Sequence, residues 1–277
     1  MSEATQPYIS HIWAEEAEPD NPFEAKACYC HGYDVYGDLL GKAGWAESLY
    51  LLFRGERPSP AQGRVLEHLS VALMNRGPRD HSVRAAMNGG VGGSAAATSL
   101  MAALAVGAGQ YGGAHEVFHA VNLWQTCGKD LAAWQTGLRA LLDNKEVDIW
   151  LPIEHAPGFE PNGVSCPTPV RQTLAVLAAH TGDGALHWLG DNREALEALA
   201  GCPLAMTGVA AAALFDLGFT AEQAEMLFLL LRLPGAAVHA LEQQALGWRK
   251  FPFIGSRVEL QDDPGAMGVP TIEGLEP

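Results

Sequence analysis

Side chains able to do chemistry gather at three places in this sequence. The first is Tyr111-Gly112-Gly113-Ala114-His115-Glu116, with His119 four residues beyond His115. A phenol donates a hydrogen bond, while an imidazole or a carboxylate moves a proton. Residues four apart share one face of a helix. The second holds Glu154, His155 and Glu160. Burial raises the pKa of a carboxyl group, which would make Glu160 a usable base. The third is Arg79, His81 and Arg84. Guanidinium forks meet a carboxylate bidentately, so this group suits an acidic substrate. Plainer readings stand beside these: Tyr111 as a core tyrosine, His81 as a helix-start residue, His115-Glu116 as a surface pair and Glu160 as a solvated acid. Cys28-Tyr29-Cys30-His31 has ligand-type residues, but no second ligand pair follows, so no metal is expected. Cys166 has no activating neighbour in sequence.

The elements that must position these groups read as helices. Trp45, Leu49, Leu52 and Phe53 mark one helical face, closed by Gly55. Ser59-Pro60-Ala61-Gln62 and Thr220-Ala221-Glu222-Gln223 are capping boxes. The first opens a helix running to about Arg76. Two helices are expected between Val83 and Ala108, where repeated glycines imply close backbone approach. Others are expected at Ala114 onward with Val117, Val121 and Trp124 on one side, at Leu131–Leu142, Val170–His180, Asn192–Leu199 and Met206–Leu217. Leu233-Pro234-Gly235 is expected to separate a helix ending at Arg232 from a last one, Ala236–Leu246. Trp150–Thr168, rich in Pro and Gly, reads as a long functional loop. No strand pattern stands out. The fold class is all-α.

Composition removes several functions. The 277 residues carry 17 Lys+Arg against 32 Asp+Glu, a net charge of −15. That field opposes nucleic acid and anionic membranes. Ala85–Ala114 has no charged residue, but its Gly, Ala, Ser and Asn content predicts closely packed buried helices rather than a membrane span. Five scattered cysteines do not make a disulfide framework. The polar start has no signal core, and the expected location is the cytoplasm.

Specific blocks go further. His31-Gly32-Tyr33-Asp34-Val35, then Trp45 to Pro58, Arg79-Asp80-His81-Ser82, Gly107 to Glu116, Ala156-Pro157-Gly158-Phe159 and Leu246-Gly247-Trp248-Arg249 occur in one order. Together they resemble the citrate synthase superfamily, and the short length resembles its citryl-CoA lyase branch. The resemblance implies a large helical domain (26–115 and 203–277) and a smaller inserted helical domain (116–202), while residues 1–25, acidic and carrying Pro7, Pro19 and Pro22, read as an extended N-terminal arm. It implies a homodimer, or a higher homo-oligomer, and a cleft for a coenzyme A thioester and a carboxylic acid. The implied activity is lysis or formation of a carbon–carbon bond beside the thioester.

The same resemblance exposes departures. The family histidine before the glycine pair matches Tyr111, its loop histidine matches Pro161, and its late aspartate falls on Leu204. A rebuilt site would use Tyr111 on the enolate, His115 or Glu160 for the proton, and His81 with Arg79 and Arg84 on the acid. Arg249 would serve the substrate across the dimer, and Gly158, Phe159 and Arg171 would bind coenzyme A. The competing expectation is a silent homologue that binds acyl-CoA or a protein partner.

Overall fold

The computed structural model describes residues 8–144 and 152–251. The first seven residues of the expected arm, the start of the expected loop at Trp150 and Leu151, and everything after Phe251 lie outside them.

The chain opens with three antiparallel strands, β1 (Trp13–Ala17), β2 (Ala25–Cys30) and β3 (Tyr33–Asp34), in the order β1-β2-β3. This sheet corrects the expectation of no strands, and β1 lies within the segment read as an extended arm. Trp13 pairs with Cys30 and Glu16 with Ala27, and the register slips between Glu16 and Ala17. All five β1 side chains are exposed, so no buried face imposed an alternating pattern on its sequence.

Ten α-helices follow among the described residues: α1 (Trp45–Arg54), α2 (Pro60–Leu73), α3 (His81–Val91), α4 (Ala96–Gly107), α5 (Ala114–Cys127), α6 (Leu131–Asp143), α7 (Thr168–Ala178), α8 (Ala185–Ala200), α9 (Met206–Asp216) and α10 (Ala221–Leu246). Both capping boxes form. Ser59 and Thr220 each exchange side-chain and backbone hydrogen bonds with Gln62 and Gln223. Gly55 caps α1 in the left-handed region. The buried face of α1 is rotated from the expected one. Ala46, Leu49, Tyr50 and Leu51 are buried, whereas Trp45 and Leu52 are exposed. Tyr50 wins the interior because its hydroxyl is satisfied there, donating to the Leu217 carbonyl and accepting from Gln62.

At the centre lies α9, whose residues 206–214 are all buried. Its Ala210–Ala213 run lets α2, α5, α7 and α8 approach from several sides. Trp124 of α5 meets Trp134 of α6, Trp188 of α8 and Phe215 of α9, with ring centroids 4.8, 5.7 and 5.9 Å away. One continuous cluster of buried apolar residues runs from Ala46 to Leu231.

The uncharged stretch folds as α3 and α4, packed on α10. The backbone approach read from its glycines is present: a Cβ on Gly90 would stand 2.2 Å from the Ala240 carbonyl oxygen of α10. Its burial is one-sided, however. In this single chain Met101 and Val106 of α4 are exposed. Pro234 also behaves differently from expectation, for α10 runs through it as one helix. The next amide, Gly235, leaves the helical ladder and donates to the Met74 carbonyl at 2.6 Å. A tertiary hydrogen bond thus absorbs the break that a proline ordinarily imposes.

Candidate active site

A cavity of about 350 Å³ opens where the α2–α3 connection, the glycine turn before α5, the Pro157 loop and the start of α9 converge. Arg76, Arg79 and His81 line one side. Tyr111, His155 and Glu160 line the others, with Phe159, Pro161 and Thr207 completing the wall.

Glu116 is the hub. Its side chain is only 3% exposed, yet it is ionisable. Four groups surround it. The amides of Gly112 and Gly158 donate at 2.6 and 2.9 Å, the Thr207 hydroxyl donates at 2.6 Å, and His155 Nε2 stands 3.6 Å away. One carboxylate therefore ties the glycine turn, the Pro157 loop and α9 together. The loop also lies backbone on backbone against α9. A Cβ on Gly208 would come 2.4 Å from the Gly158 carbonyl oxygen, and Gly158 has φ of +90°. The main chain continues this seam, with Glu160 donating to the Pro203 carbonyl and Ala205 to that of Gly158.

Asp80 anchors the opposite wall. It caps α3 by accepting from Ser82 and Val83. Arg232 of α10 grips both its oxygens at 2.8 and 2.6 Å. Burial pushes the Asp80 carboxyl up, but Arg232, followed by Arg76, outweighs this and holds it below its ordinary value. Arg76 is left with Nη1 buried and without a hydrogen-bond partner at the cavity wall.

Tyr111 is half exposed, lies nearly parallel to His155 at 5.3 Å and donates to Glu154 at 3.3 Å. Desolvation and the Glu154 carboxylate raise its phenol, so it remains a proton-bearing donor at neutral pH.

Four of the seven side chains assigned from the sequence to catalysis or substrate binding converge here: Arg79, His81, Tyr111 and Glu160. The other three do not line this cavity. His115 lines a separate one beside α6. There it meets Glu225 at 3.0 Å and His119 at 3.2 Å. Burial and then His115 pull His119 down to about 4, leaving it neutral at physiological pH. Successive helix positions differ by about 100°, so Glu116 and His115 point into different cavities. Arg84 sits farther along α3. Arg249, in a short 3₁₀ turn, lies over Trp248, its guanidinium carbon 5.6 Å from the ring centroid. Of the residues assigned to coenzyme A, Phe159 lines the cavity and Gly158 spends its amide on Glu116. Arg171 is exposed on α7 and bonds Thr168. Leu204 is buried and bridges to Phe159, so no titratable group stands at that position. Burial, then Glu197, pushes the Cys166 thiol up, which keeps it a poor nucleophile.

Three residues at the site carry little signal along the chain. Glu116 was paired with its chain neighbour instead of with Gly112, Gly158 and Thr207. Arg76 was read only as a helix end, and His155 only as half of a loop pair. The signal for Glu116 was its place three residues after Gly113, where a carboxylate can reach back to free amides at a helix start.

The fold itself has known counterparts. Citryl-CoA lyase from Hydrogenobacter thermophilus superposes with a TM-score of 0.68 at 19% identity, covering 96% of both chains. The chain therefore has a citrate synthase-like fold. ATP citrate lyase from Methanothrix soehngenii, solved with citrate and coenzyme A, gives 0.68 at 17% identity over 95% of this chain and 44% of its own. Citrate synthase from Thermoplasma acidophilum, solved with carboxymethyl coenzyme A and oxaloacetate, gives 0.57 at 15% identity over 79% of this chain and 59% of its own. No protein-family profile and no curated relative matches the sequence.

Proposed function

We propose that this protein is a CoA-dependent carbon–carbon lyase or condensing enzyme of the citryl-CoA lyase kind, working with a rebuilt active site. The observation that carries the reading is the convergence of Arg79, His81, Tyr111 and Glu160 on one cavity built over a buried carboxylate. Cationic donors on one wall suit the carboxylates of an acid or of a citryl group. The Tyr111 phenol on another suits an enolate oxygen, where a preorganised donor is most effective. A thioester makes the carbon beside it acidic, and the cleft offers both a donor for the oxygen and groups able to move the proton. The coenzyme is substrate here. No metal is assigned a part, and the chain is expected to work in the cytoplasm as a homodimer.

A catalytically silent acyl-CoA binder is the second reading. Leu204 and Pro161, standing where the resemblance expects an acid and a histidine, favour it. Incubation with acetyl-CoA and citryl-CoA, read by calorimetry and mass spectrometry, separates the two. Binding with cleavage or condensation supports the enzyme. Binding without product supports the silent homologue. Absence of both overturns the coenzyme A reading.

A further inference from the structure

Resting on that reading, we infer that His155 is the proton-transfer group of the cleft and that Glu116 is its positioning residue. The His155 side chain is only 6% exposed and lines the cavity. Neither of its ring nitrogens has a hydrogen-bond partner in the protein. Buried polar groups are ordinarily satisfied, so an imidazole left open at a cavity wall is available to what fills the cavity. Its orientation is nevertheless fixed. Tyr111 covers one face with ring planes 21° apart, and Glu116 Oε2 faces Nε2 at 3.6 Å.

The two partners are suited to different tasks. Glu116 already accepts three hydrogen bonds, from Gly112, Gly158 and Thr207. With its oxygens engaged by these donors, Glu116 is fixed in place beside the ring as a counter-charge for an imidazolium. Glu160, the other acid on the wall, is exposed and accepts from Asn162 of its own loop at 3.2 Å. His155 has the desolvated setting and the open ring nitrogens that proton transfer to and from a bound substrate requires.

In the condensing direction, neutral His155 takes a proton from the carbon beside the thioester. The electron pair of that C–H bond becomes the enolate, whose oxygen receives the Tyr111 hydrogen bond. The enolate carbon then attacks the ketone carbon of the acceptor acid, the C=O π pair moves to oxygen, and the alkoxide so formed takes the proton from the His155 imidazolium. In the lyase direction, neutral His155 takes the proton of the citryl hydroxyl, the oxygen's electron pair forms the ketone as the carbon–carbon bond breaks to the same enolate, and the His155 imidazolium returns the proton to the enolate carbon. The proton rests on His155 beside Glu116 in both cases.

The ionisable groups facing His155 are Glu116 from α5, Tyr111 with Glu154, and Glu160. From the α2–α3 connection come Arg76, Arg79, His81 and Asp80, the last tied to Arg232. Of these, Glu116 is the buried charge that meets the ring in an ion-pair geometry.

The test is hydrogen–deuterium exchange at the acetyl-CoA methyl group in deuterated water, with acetyl-CoA binding measured alongside. His155→Gln should bind within a few-fold of wild type yet exchange about 100-fold more slowly or worse. Added imidazole should restore part of the exchange in His155→Ala. The limb of the pH profile where the base loses its proton should move to lower pH in Glu116→Gln, because the lost carboxylate had favoured the imidazolium. Wild-type exchange in His155→Gln would overturn the inference while leaving the CoA reading intact. Wild-type protein that neither binds nor exchanges any thioester would overturn both. Should the variants fail to fold, histidine-labelled wild-type protein still decides the matter by NMR. An assigned His155 ring signal and titration midpoint unmoved by saturating acetyl-CoA would overturn the assignment.

Discussion

At the scale of the residue, two side chains bear different kinds of prediction. Tyr111 keeps its proton and lines the cavity, so in the proposed reaction its part is one hydrogen bond made to a developing charge. Tyr111→Phe should lower turnover at saturating thioester about tenfold or more while leaving thioester binding within a few-fold, since a hydrogen bond formed mainly in the transition state affects kcat. Asp80 acts on stability instead. Arg232 is buried opposite it, so Asp80→Asn should cost about 3–5 kcal/mol by leaving a guanidinium without its counter-charge. The sign of the pH dependence follows from the lowered carboxyl. An aspartate whose folded pKa lies below its unfolded value of about 3.9 contributes fully above that value and less as pH falls through the folded one. Urea midpoints of wild type and Asp80→Asn should therefore differ at pH 7 and converge below about pH 4.

At the scale of the element, helix ends are held by partners distant in sequence. Asp216, at the end of α9, accepts from the Ala185 and Leu186 amides at 2.6 and 2.9 Å and so caps α8 from another element. Asp216→Ala should destabilise the fold by about 1–2 kcal/mol in urea unfolding, as loss of an N-cap does. The seam between the Pro157 loop and α9 is more sensitive. Gly208→Ala would drive a methyl group into the Gly158 carbonyl. We expect it to loosen the loop that carries His155 and Glu160. Activity should fall more than melting temperature does, because a site displaced by about 1 Å can lose about 100-fold in rate.

At the scale of the whole molecule, Met101 and Val106 of α4 and Val238 and Leu241 of α10 are exposed in the single chain. Large apolar side chains grouped on an outer surface commonly mark an interface. The proposed homodimer would cover this side. Light scattering should give twice the chain mass, and Met101→Glu should reduce it to one. A monomeric wild type would remove the proposal.

Some of this protein was legible along the chain because the forces are local. The capping boxes at Ser59 and Thr220, the Gly55 stop and the apolar side of α5 join residues within a turn or two, so their spacing in sequence is their spacing in space. The order of the blocks from Gly32 to Arg249 sufficed for the helical fold, and Arg79, His81, Tyr111 and Glu160, singled out by type and position, line one cavity. Tertiary structure decided the rest. It separated His115 from Glu116, since adjacent helix residues face different ways. It carried α10 through Pro234 because Met74, at the C-terminal cap of α2, accepts the next amide. It paired β1, whose exposed face imposes no pattern. It placed His155 beside Glu116 across 38 intervening positions. A buried charge takes its chemistry from the donors around it, and those donors are assembled only when the chain has folded.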